Sequence, residues 1–352
     1  MRNFAALIFQ SMKKSILTLA ALSLLACSCG NNNEKQETSN NNETMQQQEQ
    51  TTKPVVYMTT DISLEGLVKV YEALGVKPTE GQRVAVKIST GESGGHNYLK
   101  PELIKDLVQN LNGTIVECNT AYGGSRQDVS KHWQTIKEHG FLDIAKVDIM
   151  DEFGEMQIPV EDTTYIKYDI VGDHIANYDF VINLAHFKGH AMGGFGGVLK
   201  NQSIGFASTS GKAYIHSCGY TTDPEECWSH IENQDGFLES MASAAQGVHN
   251  YFKQAGKDII YIDVMNNLSV DCDCDAHPAD PEMKDVGILA STDPVALDQA
   301  CIDLVFNYPS VEGDDATALI NRVNRQHGIH ILEHAAKIGL GQREYELVNI
   351  DK

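Results

Sequence analysis

The sequence predicts an α/β fold: a largely parallel sheet flanked by helices, built as one large domain or two packed lobes. Two observations carry this. Short runs rich in β-branched residues alternate along the chain with longer runs of helical periodicity. Helix start and stop residues fall in the gaps between them. Such alternation favours parallel strands joined by crossover helices, because a helix is what returns the chain to the same sheet edge.

The elements follow in order. "RVAVKIS" (Arg83–Ser89) is a short β-rich run. "PELIKDLVQNLNG" begins with Pro101 in the first helical turn and ends at Gly113, the preferred polarity of those two residues. "TIVEC" is a second strand, "SKHWQTIKEHG" a helix closed by Gly140, and "KVDIM" a third strand. "DFVINLA" (Asp179–Ala185) is apolar enough for a buried strand. From Phe237 to Gly256, apolar residues at Phe237, Met241, Ala244, Ala245, Val248 and Phe252 form a helical stripe. "DIIYIDVM" is another strand, and "VGILAS" leads into the next helical run. In "TDPVALDQACIDLVFN", Asp293 is placed to cap a helix that Pro294 starts. No internal repeat is evident.

The first fifty residues read differently. From Met12, "MKKSILTLAALSLLACSCG" has a basic start at Lys13 and Lys14 and an apolar stretch from Ile16 to Leu25. That is too short to span a bilayer and has the form of a signal peptide over residues 1–26. It ends in "LLAC", which resembles a bacterial lipobox and makes Cys27 the expected lipid anchor. Residues 27–53 are then a tether: "GNNNEKQETSNNNETMQQQEQTTK" has no aromatic residue and cannot bury enough surface to offset its chain entropy. The folded part is expected from 54 to 352. The expected location is the bacterial cell envelope, outside the cytoplasm and held to the membrane by the lipid alone.

The chain carries a formal charge of −21, and loss of Arg2, Lys13 and Lys14, with no acid in the same segment, takes it to −24. A field of that sign disfavours nucleic acid and anionic membrane surfaces as partners. It also gives weight to any local cluster of cations, and "HFKGHAMGGFGGVLKN" (His186–Asn201) is one. It follows a buried strand, and open α/β sheets bind ligands at the carboxyl ends of their strands. Lys188 and Lys200 suit a phosphate or carboxylate. His186 and His190 suit proton transfer or metal ligation. Gly193, Gly194 and their neighbours would let backbone N–H groups approach an anion. The spacing matches neither G-x-x-x-x-G-K-[ST] nor a dinucleotide G-x-G-x-x-G, so nucleotide-loop readings are rejected. Lys188 and Lys200 are expected to converge on one anion, unless an internal carboxylate sits between them; Asp285, Asp293 and Asp298 are the candidates.

A second cluster is "DCDCDAHPAD" (Asp271–Asp280). In extended chain Cys272 and Cys274 would face one way and Asp271, Asp273 and Asp275 the other. With His277 they make a set suited to a single zinc or iron ion, with Cys218, Cys227 or His216 as further donors. A disulfide between Cys218 and Cys227 is the competing outcome. The acids also fall at EF-hand positions, but Ala276 stands where that loop needs glycine, and Pro278 and Pro281 intrude. Cys118 and Cys301 sit in apolar patterns and read as inert core thiols.

These pieces together resemble the DUF362 family, uncharacterised proteins often described as iron–sulfur-centre proteins. The resemblance runs from about Val84 to Val305. It rests on "VAVKISTGESGGHNYLKP", "AYGGSRQDVSKHWQTIKEHGF", "HFKGHAMGGFGGVLKNQSIGFASTSGKAYIHS", "VDCDCDAHPADPEMKDVGILAS" and "TDPVALDQACIDLV". It implies motif positions at Lys87, Tyr122, Arg126, His186, Lys188, His190, Lys200, Asn201, His216, Cys272, Cys274, Asp285, Asp293 and Asp298. Many relatives carry a ferredoxin-like cysteine module after the "IHS" segment; here "CGYTTDPEECWSHIENQDG" has only Cys218 and Cys227. A four-iron cluster held by four closely spaced thiolates is therefore not expected. The resulting expectation is an enzyme or redox accessory. His190, His216 and Lys188 would do its chemistry; Lys87, Arg126, His186, Lys200, Asn201, Gly193 and Gly194 would bind a small anion. The alternative is a lipoprotein that captures an anion or metal without chemistry.

Overall fold

The computed structural model describes residues 52–351. The signal-peptide and lipid-anchor expectations, and nearly all of the tether, lie outside them. In chain order the regular elements are β1 (Val55–Thr59), α1 (Leu64–Ala73), β2 (Val84–Lys87), α2 (Pro101–Asn110), β3 (Thr114–Glu117), α3 (Val129–Glu138), β4 (Lys146–Ile149), β5 (Glu155–Ile158), β6 (Asp169–Gly172), β7 (Phe180–His186), β8 (Lys188–His190), β9 (Gly194–Gly196), α4 (Val198–Phe206), α5 (Thr209–His216), α6 (Gln234–Gln254), β10 (Asp258–Met265), β11 (Gly287–Ser291), α7 (Pro294–Phe306), α8 (Thr317–Arg325), α9 (His330–Lys337) and β12 (Glu346–Asn349).

Eight strands form one sheet in the order β12-β1-β11-β10-β7-β2-β3-β4. Every neighbouring pair is parallel except the two made by β11, which runs against both β1 and β10. The α/β fold with a largely parallel sheet therefore holds, with helices on both faces. The strand period of two divides the core. Phe180, Ile182 and Leu184 of β7 and Ile260, Ile262 and Val264 of β10 join Leu67, Val70, Leu107 and Ile136 from α1, α2 and α3. Val181 and Ala185, with Ile259, Tyr261 and Met265, face the other way, onto Leu199, Met241, Ala245, Ala300 and Leu332 from α4, α6, α7 and α9.

The second face is interrupted by polar side chains. Lys87, Asn183 and Asp263 alternate with the apolar residues of β2, β7 and β10, and each is almost wholly buried. Burying such groups is costly unless they are satisfied. They are what α4 packs against.

The cap residues act largely as the sequence implies. Asp293 accepts from the N–H groups of Val295 and Ala296 and Pro294 opens α7. Pro101 opens α2, and Gly140 stops α3 with φ near 83°. At the end of α2, however, the left-handed residue is Asn112 (φ 47°) rather than Gly113. The stretch from His186 to Asn201 is not an open loop: β8 and β9 pair as a short antiparallel hairpin, and α4 follows at once.

Candidate functional site

The carboxyl ends of β2, β3 and β7 open into a cavity of about 270 Å³, near the small end of ligand pockets. Five cationic side chains line it: Lys87, Arg126, Lys188, Lys200 and Lys212. His190, His216, Trp228, Cys272 and Cys274 complete its chemistry.

Each cation is placed by a different element. Lys87 is the last residue of β2, and its ammonium bonds the carbonyl of Ile88 at 2.6 Å and Oδ1 of Asn201 at 3.2 Å. Asn201, in the first turn of α4, also donates to the carbonyl of Lys87 and to Oδ1 of Asn183, tying the helix to the sheet. Burial lowers the pKa of Lys87 to about 8. Gly205 is needed at that spot, since a Cβ there would stand 2.7 Å from the Lys87 ammonium. Lys200, also in the first turn of that helix, reaches Sγ of Cys272 at 3.8 Å. Lys212, on α5, bonds the carbonyl of Ala207 at 2.5 Å, and burial lowers its pKa. Among the described residues, none of these three lysines has a carboxylate within 4 Å.

Lys188 and Arg126 differ. Lys188 bonds Oδ2 of buried Asp273 at 2.8 Å; burial opposes its charge, but Asp273 and Cys272 outweigh that and raise its pKa. His186 holds the other oxygen of Asp273 at 2.8 Å and the carbonyl of Asn266 at 2.6 Å, so it lines the cavity as part of a fixed triad. Arg126 bonds Glu117 at 2.6 Å, Glu92 at 3.4 Å and the hydroxyl of Tyr122 at 2.8 Å. Glu117 is further held by Thr90 and His132. Although burial opposes it, Arg126 and His132 keep Glu117 well below the usual carboxylate range. The guanidinium is thus spent on its own carboxylates.

The lysine partner expected among Asp285, Asp293 and Asp298 is none of them; it is Asp273, which the extended-chain argument placed facing away. The loop instead turns at once, with the N–H of Asp275 bonding the carbonyl of Cys272. Asp285 receives the N–H of Asn267, and Asp293 receives those of α7 and of Gln342. Asp298, on α7, receives the N–H groups of Val198 and Leu199 and so caps α4 from a distance. Gly197 leaves the room, because a Cβ there would lie 2.2 Å from Oδ1 of Asp298. Burial raises Asp298 to about 6, and burial beside Asp298 raises Asp263 further, so Asp263 holds the proton between them. In the hairpin, the N–H groups of Gly189 and Gly193 are taken within the chain. Gly189 bonds Ser269, Gly193 bonds Nδ1 of His190, and Gly194 (φ 82°) packs on Gly328.

The sulfur chemistry sits on the same wall. His190, Cys272 and Cys274 bring one donor atom each within 4.8 Å of one another and could hold a metal ion. His277 is not among them: it is exposed, and its own N–H bonds Asp275. Among the described residues Cys218 and Cys227 form no disulfide; their thiols bond the carbonyls of Asn233 and Pro224, and they do not join the group. The neighbouring Cys274 thiol, with Lys200, holds the Cys272 thiol well below its ordinary value; Cys272 beside it, with burial, pushes Cys274 up. Cys118 and Cys301 are buried, and burial raises both, as expected of inert core thiols.

The two histidines carry opposite tautomers. Nδ1 of His190 accepts the N–H groups of Met192 (3.2 Å) and Gly193 (2.8 Å), which puts the ring proton on Nε2. Nδ1 of His216 meets the carbonyl of Lys212 at 3.0 Å, which puts the proton on Nδ1 and leaves a lone pair on Nε2. His190 is thus a donor and His216 an acceptor. Burial lowers both, His216 to about 3. Lys212, Asp273, Glu92 and Glu117 were missed in the sequence. Lys212 had a signal: it lies four residues before His216 in a helical run, on the same face.

The chain belongs to the family described as Domain of unknown function (DUF362), whose profile matches residues 84–303. Among solved structures it is similar to the lactate racemase apoprotein from Thermoanaerobacterium thermosaccharolyticum, with TM-score 0.40 and 15% identity over 71% of this chain and 56% of that one. It is also similar to a protein from Thermotoga maritima, with TM-score 0.39 and 11% identity over 78% of this chain and 58% of that one. The chain spans little more than half the length of each. No curated protein matches it.

Proposed function

We propose that this protein is a lipid-anchored protein of the bacterial cell envelope that binds a small anion in the cavity at the carboxyl ends of β2, β3 and β7. It acts on that anion as an enzyme or redox accessory. One observation supports this above the others: Lys87, Lys200 and Lys212 converge on one cavity without carboxylate partners among the described residues, in a chain of formal charge −21. Buried cations are ordinarily paired. An anionic ligand would supply the missing partner, with His190 donating a hydrogen bond from Nε2 and His216 accepting one at Nε2 beside it. Calorimetric titration with orthophosphate, oxalate and succinate tests the reading. Binding by at least one of them, weakened in Lys87→Met and Lys200→Met, is expected; no binding by any would overturn it. The anchor is tested separately: Cys27→Ser should move the protein from the membrane fraction to the soluble one.

A second reading, a lipoprotein that holds one zinc or iron ion without chemistry, draws on His190, Cys272 and Cys274. Two thiolates and an imidazole are a known donor set for zinc. The His190 tautomer weighs against it, since a ligating histidine ordinarily donates, rather than accepts, at its other nitrogen. Metal well below one equivalent in protein prepared without oxygen would dispose of it.

A further inference from the structure

We propose that Cys272 and Cys274 form a catalytic dithiol, Cys272 attacking and Cys274 resolving, that reduces a small organic disulfide bearing carboxylates. This rests on the anion-binding reading for its substrate class and goes beyond it in the reaction.

The two cysteines are not equivalent in their surroundings. The N–H of Cys274 points at Sγ of Cys272 at 3.4 Å, and the ammonium of Lys200 lies 3.8 Å from the same sulfur. Among the described residues no such donor is aimed at Cys274. A sulfur that receives donors is the one built to carry negative charge, and the thiolate is the attacking form. Cys274 Sγ lies within 4.8 Å of it, across a tight turn. Closing a disulfide then needs a side-chain rotation rather than a rearrangement of the fold. His190 completes the set, because its backbone acceptor bonds fix the ring proton on Nε2, a hydrogen-bond donor for charge on a thiolate.

The cavities on either side of the pair add a second, independent line. The inner one is the lysine-lined cavity, with Ala185, Ile204, Met192 and Trp228 as apolar wall between the cations. That pattern fits a molecule charged at its ends and soft in the middle. A second cavity, of about 480 Å³, meets the first at Tyr122, Ala191, Cys272 and Cys274, and carries no lysine; of its acids, Glu92 is paired with Arg126 and Asp271 with Arg322, and Asp275 is exposed. The dithiol is therefore reached from two sides, and the lysines line only the inner one. The second side lacks cations to hold the substrate and leaves room for a neutral or cationic dithiol reductant.

The steps balance as thiol–disulfide exchange. The Cys272 thiolate attacks one substrate sulfur, a Cys272–S bond forms, the substrate S–S bond breaks, and the first half of the substrate leaves as a thiolate. That thiolate takes the proton of Cys274, and the Cys274 thiolate then attacks Sγ of Cys272 and expels the second half of the substrate. That half leaves as a thiolate and is protonated from water. Two electrons pass from the dithiol to the substrate, leaving a Cys272–Cys274 disulfide. An external dithiol entering by the second cavity restores the reduced pair.

The test uses the reduced full chain, without oxygen and freed of reductant, with 3,3′-dithiodipropionate as probe and suberate as its unreactive carbon analogue. Wild type should release two thiols per chain and become two mass units lighter, the missing hydrogens mapping to the Cys272–Cys274 peptide. Cys274→Ser should stall with half the probe attached to Cys272. Cys272→Ser should release nothing, and His190→Ala, which loses the Nε2 hydrogen bond, should be roughly tenfold slower. A Cys274→Ser protein that forms no adduct while suberate still binds overturns the dithiol and leaves the anion reading standing. Equal rates with the neutral 2-hydroxyethyl disulfide, together with no suberate binding, would remove the carboxylate requirement and the anion reading with it. One equivalent of zinc or iron that protects both cysteines from alkylation would also overturn the proposal.

Discussion

Two corners of one cavity hold buried cations, and they are built on opposite terms. At the first, Arg126 meets Glu117, Glu92 and Tyr122, and Glu117 is held again by His132 and Thr90. At the second, Lys87 and Lys212 meet only carbonyls and an amide, and Lys200 only a sulfur. The first corner is internally neutralised and works as scaffolding, locking the turn after β3 to β2. The second is left with charge that the chain does not balance. Residue type and burial alone would rank the two alike. What separates them is whether the partners are already present.

Mutation should pull the two corners apart, and the largest effect belongs to the satisfied one. Arg126→Met strands Glu117 and Glu92 in a buried setting and should cost about 3–5 kcal/mol in denaturant unfolding. A wild-type midpoint would mean that the network is not structural. Lys200→Met should do the reverse. It has no carboxylate partner to strand, so the unfolding midpoint should stay within about 1 kcal/mol of wild type, while anion affinity falls roughly tenfold or more by calorimetry. A variant that melts like wild type and binds as tightly would erase the contrast.

pH sharpens the comparison. Lys87, lowered to about 8 by burial, is charged below that pH and neutral above it. Anion affinity should therefore fall as pH rises through 8, and Lys87→Met should remove that limb. The ligand-free protein should behave oppositely. Between about pH 8 and the ordinary lysine value the unfolded chain holds the extra proton, so folding stability rises with pH there. Asp169 gives a stability limb of the other sign. Burial raises it to about 7, and one of its oxygens has no partner. The folded state keeps that proton longer than the unfolded state, so the contribution is full below about pH 4 and is lost as pH rises through 7. Its slope is at most about 1.4 kcal/mol per pH unit. Asp169→Asn should flatten this limb in pH-dependent melts. The smallest effect is expected at His277, exposed and outside the donor group: His277→Ala should change stability by less than about 0.5 kcal/mol and leave the alkylation rate of Cys272 unaltered.

The periodic elements were legible because their signals are local. Alternation of short β-rich runs with capped helical runs gave the α/β class, and Pro101, Gly140, Asp293 and Pro294 marked ends that backbone geometry alone enforces. The site region was also legible, since a buried strand running into "HFKGHAMGGFGGVLKN" places cations at a sheet edge whatever their partners. β11 escaped because the strand pattern of "VGILAS" is the same in either direction; antiparallel pairing is decided by the neighbours it finds. α5 and the helical half of the glycine stretch escaped because α4 owes its start to Asp298, a residue about a hundred positions away.

What the sequence by itself determined is therefore which residue types the site has, and that they lie beside strand ends. What only the tertiary structure decided is who pairs with whom. Asp273 rather than Asp285, Asp293 or Asp298 takes Lys188 and His186, and His190 rather than His277 joins Cys272 and Cys274. The physical reason is that ion pairs and thiol contacts act over a few ångströms, while these partners are separated by some eighty residues of chain. Composition can supply the charges, but only packing sets the distances that make one lysine a strut and another a binding group.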